Sequence, residues 1–282
     1  MNNYAVEIKN LVKKFDGFTL GPIELCIPKG SIVGYIGQNG AGKSTTIKLL
    51  LGLLNKDSGE IKILDEEKSD SILLKDRLGV VFDDLLLPEE MTLVDVEKFC
   101  SRVYSRWDKK DYYQFIENFS LPEKQIIKNY SRGMKMKLSI AVALSHNAEL
   151  LILDEAASGL DPIVREEILE LLLDFMQDEN HTILISSHIL SDLEKVADYI
   201  IFIHNGKILF VETKDELKEN YGICTLSDEE VKNIDEDAII GRRLHSFGQE
   251  LFVKRNLIPD GITLQKPSIE DIMIYFVKGD KR

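Results

Sequence analysis

Gly37-Gln38-Asn39-Gly40-Ala41-Gly42-Lys43-Ser44-Thr45 satisfies the pattern G-x-x-x-x-G-K-[ST] at every defined position, and that pattern builds a loop around phosphate groups. Its flanks supply the context the pattern needs. Ser31-Ile32-Val33-Gly34-Tyr35-Ile36 is apolar and β-branched, as a strand buried in a parallel sheet is. Thr46-Ile47-Lys48-Leu49-Leu50-Leu51 begins a helix. Glycines let the backbone wrap closely, with N–H groups pointing inward. The helix N-terminus adds partial positive charge. In such a loop Lys43 reaches the β- and γ-phosphates, and the Ser44 hydroxyl ligates Mg2+. A glycine-rich turn before an ordinary helix would leave the agreement of strand, loop and helix unexplained.

A second stretch supplies acids. Leu150-Leu151-Ile152-Leu153 reads as an apolar strand that delivers Asp154 and Glu155 at its carboxyl end, where ligands bind in open α/β sheets. One carboxylate holds Mg2+ through water, and the next orients or deprotonates an attacking water. Paired acids after a strand are common as solvated ends. About a hundred residues downstream of a phosphate loop, they point to nucleoside triphosphate chemistry. Tyr130-Ser131-Arg132-Gly133-Met134 stands just before a helix at Lys135 to Leu144. A small hydroxyl and a glycine there make either an anion site or an ordinary cap.

The chain has 282 residues, 44% hydrophobic and 29% charged, which suits an ordinary soluble globular protein of one large domain or of a main domain with a small appendage. The formal net charge of -13 argues against nonspecific nucleic-acid binding as the main task, and no nucleic-acid partner is expected. Cys26, Cys100 and Cys224 lie far apart, so reduced, mostly buried thiols in a cytosolic protein are expected. Met1 to Glu7 carries no apolar signal region. The apolar runs Leu49 to Leu54 and Leu150 to Leu153 fall well short of the ~20 residues that span a bilayer. Any link to a membrane is therefore expected to run through a partner.

In chain order, Ala5 to Val12 alternates as a strand, Asp16-Gly17 is a turn, and Phe18 to Ile27 reads as short strands broken at Gly21-Pro22. Asp57-Ser58-Gly59-Glu60 reads as a turn ahead of a strand at Ile61 to Leu64, and Leu78 to Phe82 as a further buried strand. Leu93 to Leu144 is mainly helical, with Val94, Val96, Phe99, Val103, Tyr104, Tyr112, Phe115, Ile116 and Phe119 expected in a core. Asp161-Pro162 caps a helix that turns Ile163, Ile168, Leu171, Leu172 and Phe175 inward. Thr182 to Ile185 is a strand and Ile189 to Ala197 a short helix, and Asn205-Gly206 marks a hairpin. After Thr213 acidic clusters interrupt short apolar runs, and Ser268-Ile269-Glu270-Asp271 resembles a capping box for a last helix.

Over residues 4 to 212 the motif order resembles the nucleotide-binding subunit of an ATP-binding cassette (ABC) transporter, in its bacterial ABC-2, exporter-like subgroup. Gly37 to Thr45 matches the Walker A motif, Leu150 to Glu155 the Walker B motif, and Tyr130 to Met134 the signature motif. Ser158-Gly159-Leu160-Asp161 resembles the D-loop, and Ser186-Ser187-His188 the switch-histidine loop. The resemblance implies an α/β P-loop NTPase core with an antiparallel β subdomain and an inserted α-helical subdomain at about 85–147. Residues 1–212 would form the ATP-binding domain and 213–282 a small C-terminal α+β appendage.

It also implies ATP and Mg2+ as cofactors. Phe15 would stack on adenine, and Ser131, Gly133 and Asp161 would act on the ATP of a second cassette, an identical chain or a paralogue. Glu155 would polarise water, with Lys43 and His188 at the γ-phosphate and Ser44, Asp83 and Asp154 near the metal. A transmembrane permease subunit would dock at Asp83 to Asp95 and the helices after it, on the cytoplasmic face of the membrane. The chain departs from the family pattern at Tyr130, Arg132 and Met134, usually Leu, Gly and Gln, and at Asp83, usually Gln. Two other readings are a cassette ATPase acting on a ribosome or DNA and a small-molecule kinase or GTPase. The first usually carries tandem cassettes or long coiled coils, and the second leaves the signature, D-loop and switch histidine unexplained.

Overall fold

The structure is a computed structural model, and it describes residues 3–67, 71–245 and 248–278. Both ends of the expected domain boundaries, residues 1–2 and 279–282, lie outside the described residues. The chain opens with β1 (Tyr4–Phe15), β2 (Phe18–Pro28), β3 (Ile32–Ile36), α1 (Lys43–Leu50), β4 (Ser58–Ile63), α2 (Ile72–Lys75) and β5 (Leu78–Val81). A helical stretch follows: α3 (Leu93–Val103), α4 (Lys109–Asn118) and α5 (Arg132–Leu144). The alternating pattern then resumes with β6 (Leu150–Asp154), α6 (Pro162–Phe175), β7 (Thr182–Ser186), α7 (Leu190–Val196), β8 (Tyr199–His204) and β9 (Lys207–Thr213). The chain ends in α8 (Lys214–Asn220), β10 (Tyr221–Leu226), α9 (Asp228–Val231), β11 (Ile239–His245), β12 (Gly248–Lys254) and α10 (Ile269–Lys278).

The main sheet has the order β5-β6-β7-β3-β8-β9. It is parallel from β5 to β8, and β9 joins antiparallel through the Asn205-Gly206 hairpin. Every residue of β3, β6 and β7 is buried, because helices or the second sheet cover both faces. The two faces feed different cores, as the period of two requires. Ile32, Ile36, Leu151, Leu153, Ile183 and Ile185 pack with α5, α6, α7 and α10. Val33, Tyr35, Leu150, Ile152 and Leu184 pack with α1 and the antiparallel sheet β2-β1-β4. Leu93, Val96, Tyr112, Ile116, Leu138 and Ala141 form a separate core in the helical stretch.

The sheet β10-β12-β11 has its own core at Cys224, Leu226, Leu251 and Val253. Its opposite face, with Ile223 and Phe252, joins the core under α10. Ser268 and Asp271 cap α10 reciprocally, and Glu194 of α7 accepts from Ile269 N–H at 2.6 Å.

Several local expectations are corrected. β2 runs unbroken through the cis Gly21-Pro22 bond, its pairing with β1 irregular near Leu11. β4 begins at Ser58, not after the glycine. Gly59 is a strand residue at φ 93 whose Cβ would lie 2.4 Å from the Asn10 carbonyl oxygen, so the turn residue serves a close crossing instead. Cys26 is exposed, on the outward phase of β2. Ile163 is exposed, since it sits five residues and about 140° around α6 from Ile168. In α3 the buried stripe is Leu93, Val96, Glu97 and Cys100, which leaves Val94, Phe99 and Val103 exposed.

Candidate nucleotide site

The loop between β3 and α1 is tight. A Cβ on Gly37 would lie 2.5 Å from the Ile203 carbonyl oxygen on β8, so no larger residue fits. Gly42, at φ 114, is the N-cap of α1, and no side chain caps that helix. The first N–H groups of an α-helix lack intrahelical partners. Here they open, with Lys43, Ser44 and Thr45, into a cleft of about 500 Å³. Thr46 anchors the turn from beneath: its hydroxyl donates to the Gly42 carbonyl at 2.9 Å and lies 3.0 Å from the Tyr35 hydroxyl.

The strand ends bring the acids to the same place. Ser44 Oγ donates to Asp154 Oδ1 at 3.1 Å. Glu155 follows β6 in a left-handed conformation, φ 54. Its Oε1 lies 3.2 Å from Lys43 Nζ, which also donates to the Gly37 carbonyl at 2.8 Å. Its Oε2 accepts from His188 Nδ1 at 2.5 Å. An ionised carboxylate only accepts, so the imidazole carries its proton on Nδ1 in this arrangement. Burial works to raise the Glu155 carboxyl, but the His188 hydrogen bond and the Lys43 charge outweigh it and hold the group below its ordinary range.

The far wall is aromatic. Phe15 and Phe18 pair across the β1–β2 hairpin with ring centroids 6.2 Å apart, and both line the cleft with Gln38, Asn39, Gly40, Gly42, Asp83 and Ser158. Gly37 and Ala41 shape the loop from behind; Ala41 is buried and its N–H donates to the Gln38 carbonyl at 3.0 Å. Phe18 was not singled out from the sequence. Its signal was there, because a two-residue hairpin turn places it opposite Phe15.

Ser131, Gly133 and Asp161 do not line this cleft. Ser131 caps α5, its hydroxyl accepting from Met134 N–H at 3.2 Å. Asp161 caps α6, accepting from Ile163 and Val164 N–H at 3.1 Å each. Arg132 lies over the next loop, where a Cβ on Gly159 would meet its Nη1 at 2.8 Å. A second cleft of about 400 Å³ runs from Asp83 and Asp84 to Tyr130, Arg132 and Lys135.

A parallel sheet, an uncapped helix N-terminus behind a glycine loop, and a hydroxyl–carboxylate pair beside a lysine define a P-loop nucleoside triphosphatase. Residues 20–158 match the ABC transporter family. The bacitracin transport ATP-binding protein BcrA of Bacillus licheniformis is 34% identical over 281 residues, covering 91% of this chain and 90% of that protein. The lantibiotic transport ATP-binding protein SrtF of Streptococcus pyogenes is 38% identical, covering 74% and 91%. A solved ATP-binding subunit of an ABC transporter superposes with a TM-score of 0.69 at 28% identity, covering 76% of this chain and 92% of that one. A dimeric ATP-binding cassette bound to ADP and Pi shares the fold, with a TM-score of 0.66 at 23% identity over 74% and 98%. The chain belongs to the ABC transporter family, as an ATP-binding subunit that hydrolyses ATP.

Proposed function

We propose that two such cassettes close head to tail around ATP and drive a separate transmembrane permease. One observation carries the reading. Lys43, Ser44, Glu155 and His188 line a single cleft, while Ser131 and Asp161 lie exposed elsewhere on the same chain. A second cassette is needed to bring a signature motif to this nucleotide. Within the cleft, Phe15 and Phe18 stack on the base. The uncapped N–H groups and Lys43 bind the phosphates, and His188 contacts the γ-phosphate. Glu155 orients the attacking water and receives its proton. The oxygen donors Ser44 and Asp154, already in contact, suit a hard cation. They would hold Mg2+, with Asp83 across the cleft, and the ion would neutralise phosphate charge.

Among the described residues no helix is long and apolar enough to cross a membrane. The docking face we assign lies beside the expected Asp83 to Asp95 segment and takes in Val103 of the helix after it. It is an apolar groove of about 520 Å³ lined by Leu53, Ile72, Leu73, Phe82 and Val103. Leu53, Ile72 and Leu73 are 64%, 82% and 76% exposed there, an apolar exposure that marks a contact surface. A helix of the permease on the cytoplasmic side fits it. Bacitracin and a lantibiotic are the cargoes in the relatives' names, so such compounds are the first to test. Glu155→Gln should accumulate as an ATP-bound dimer on sizing while turnover stops; a variant that stays monomeric with ATP would refute the sandwich.

A further inference from the structure

We propose that Ser186, a residue outside the phosphate loop and the acid pair, is a positioning residue for both carboxylates of the site. The inference rests on the ATPase reading above. Ser186 ends β7, in register with Asp154 at the end of β6 and with Tyr35 on β3. It is 1% exposed, so its hydroxyl cannot be satisfied by bulk water. The hydroxyl donates to Asp154 Oδ1 at 2.6 Å and accepts from Glu155 N–H at 3.2 Å. The same N–H lies 3.1 Å from the Ser186 carbonyl oxygen.

Asp154 Oδ1 thus accepts two hydroxyls, Ser44 from the phosphate loop and Ser186 from the neighbouring strand. Together they fix which way the carboxylate faces. The tie to Glu155 has a different task. Glu155 stands at φ 54, a conformation that residues other than glycine seldom hold unless their surroundings impose it. The two N–H contacts to Ser186 restrain that residue's own backbone, together with its carbonyl, which accepts from Ser158 N–H at 3.0 Å. Without the hydroxyl, the turn after β6 is freer to relax, and the Glu155 carboxylate then leaves Lys43 and His188. Ser186 touches neither nucleotide nor water in this role; it acts through Asp154 and Glu155.

The test uses the full chain with Ser186→Ala and Ser186→Thr. Losing a hydrogen bond to a charged group should lower kcat by ~10- to 100-fold. KM should not rise and the affinity for a fluorescent ATP analogue should not weaken, since Lys43 and the loop N–H groups remain. Ser186→Thr should restore most of the rate. If its methyl group proves too large for the buried position, seen as a lowered Tm, Ser186→Cys replaces it and should fall between wild type and Ala. Amide hydrogen exchange of a peptide covering residues 154–158, measured without nucleotide, should quicken in Ala and not in Thr. Unchanged kcat, a loss confined to KM, or unchanged exchange would overturn the proposal. A wild-type protein that binds no ATP would instead sink the parent reading, and the exchange measurement would still decide the role of Ser186.

Discussion

Glu155 Oε1 lies 3.2 Å from Lys43 Nζ, so the carboxylate we assign to water activation neutralises the lysine we assign to phosphate binding. Lys43 is 5% exposed, and a buried ammonium needs such a partner. In the proposed site ATP would displace Glu155 from Lys43, and the displacement would free the carboxylate for its own task. Removing that competition should tighten binding. In Glu155→Gln the affinity for ATP is expected to rise about 3- to 10-fold, the worth of a modest ion pair, while hydrolysis falls away. Lys43→Ala should lose binding. Titration with a fluorescent ATP analogue reads both; weaker binding by Glu155→Gln would contradict the competition.

The same pair makes the protein's stability sensitive to acid. Burial opposes the charged form of Glu155, but the His188 hydrogen bond and Lys43 leave its folded pKa below the ordinary value of 4.5. A depressed carboxylate contributes stability fully above its unfolded pKa, and that contribution is lost as pH falls through the folded value. Wild type should therefore exceed Glu155→Gln in Tm at neutral pH, and the gap should narrow below about pH 4.5. Melting curves across pH check this; a gap independent of pH would rule out the linkage.

Asp83 lines the cleft, at the position where the motif pattern this chain resembles usually has glutamine. Glutamine keeps an oxygen ligand, is longer by one methylene and removes a negative charge near phosphate. Asp83→Gln is expected to hydrolyse ATP at the wild-type rate or faster. Steady-state ATPase assays decide, and a complete loss of turnover would count against placing Asp83 at the metal.

The aromatic wall offers a graded test. Phe15 is 43% exposed and Phe18 stands beside it, so Phe15→Ala removes one stacking face and leaves the other. ATP affinity should fall about 2- to 10-fold, the range of an aromatic contact, with kcat little changed. Equal affinity of the variant would remove Phe15 from the base-binding set.

The groove beside β5 should be separable from catalysis. Leu73→Glu with Val103→Glu places charge on an exposed apolar lining without opening the core. Recruitment to membranes containing the permease is expected to fail while ATP binding persists. Co-sedimentation with those membranes is the measurement, and undiminished recruitment would move the docking face elsewhere.

What the residue order determined was much of what is local in sequence. The phosphate loop, the acids closing β6, the Asp161 cap and the Asn205-Gly206 turn each depend on a few neighbouring residues and their short-range sterics, so they were legible at once. Hydrophobic period alone misjudged the environments of Ile163, Val94, Phe99 and Val103, because an apolar residue shows its character but not which neighbour, if any, covers it. Cys26 is the same case on a strand.

Only the folded arrangement decided contacts made across the sheet. Ser186 meets Asp154 because β7 lies next to β6 in a parallel order that no short spacing encodes. Lys43 meets Glu155 although β7 lies between β6 and β3, because the carboxyl ends of these parallel strands open on one edge of the sheet. Ser131, legible as either a cap or an anion site, is a cap within this chain, since the cleft it would complete belongs to another subunit's geometry in our reading. Backbone chemistry is written residue by residue; the meeting of distant side chains is set by which strands share hydrogen bonds.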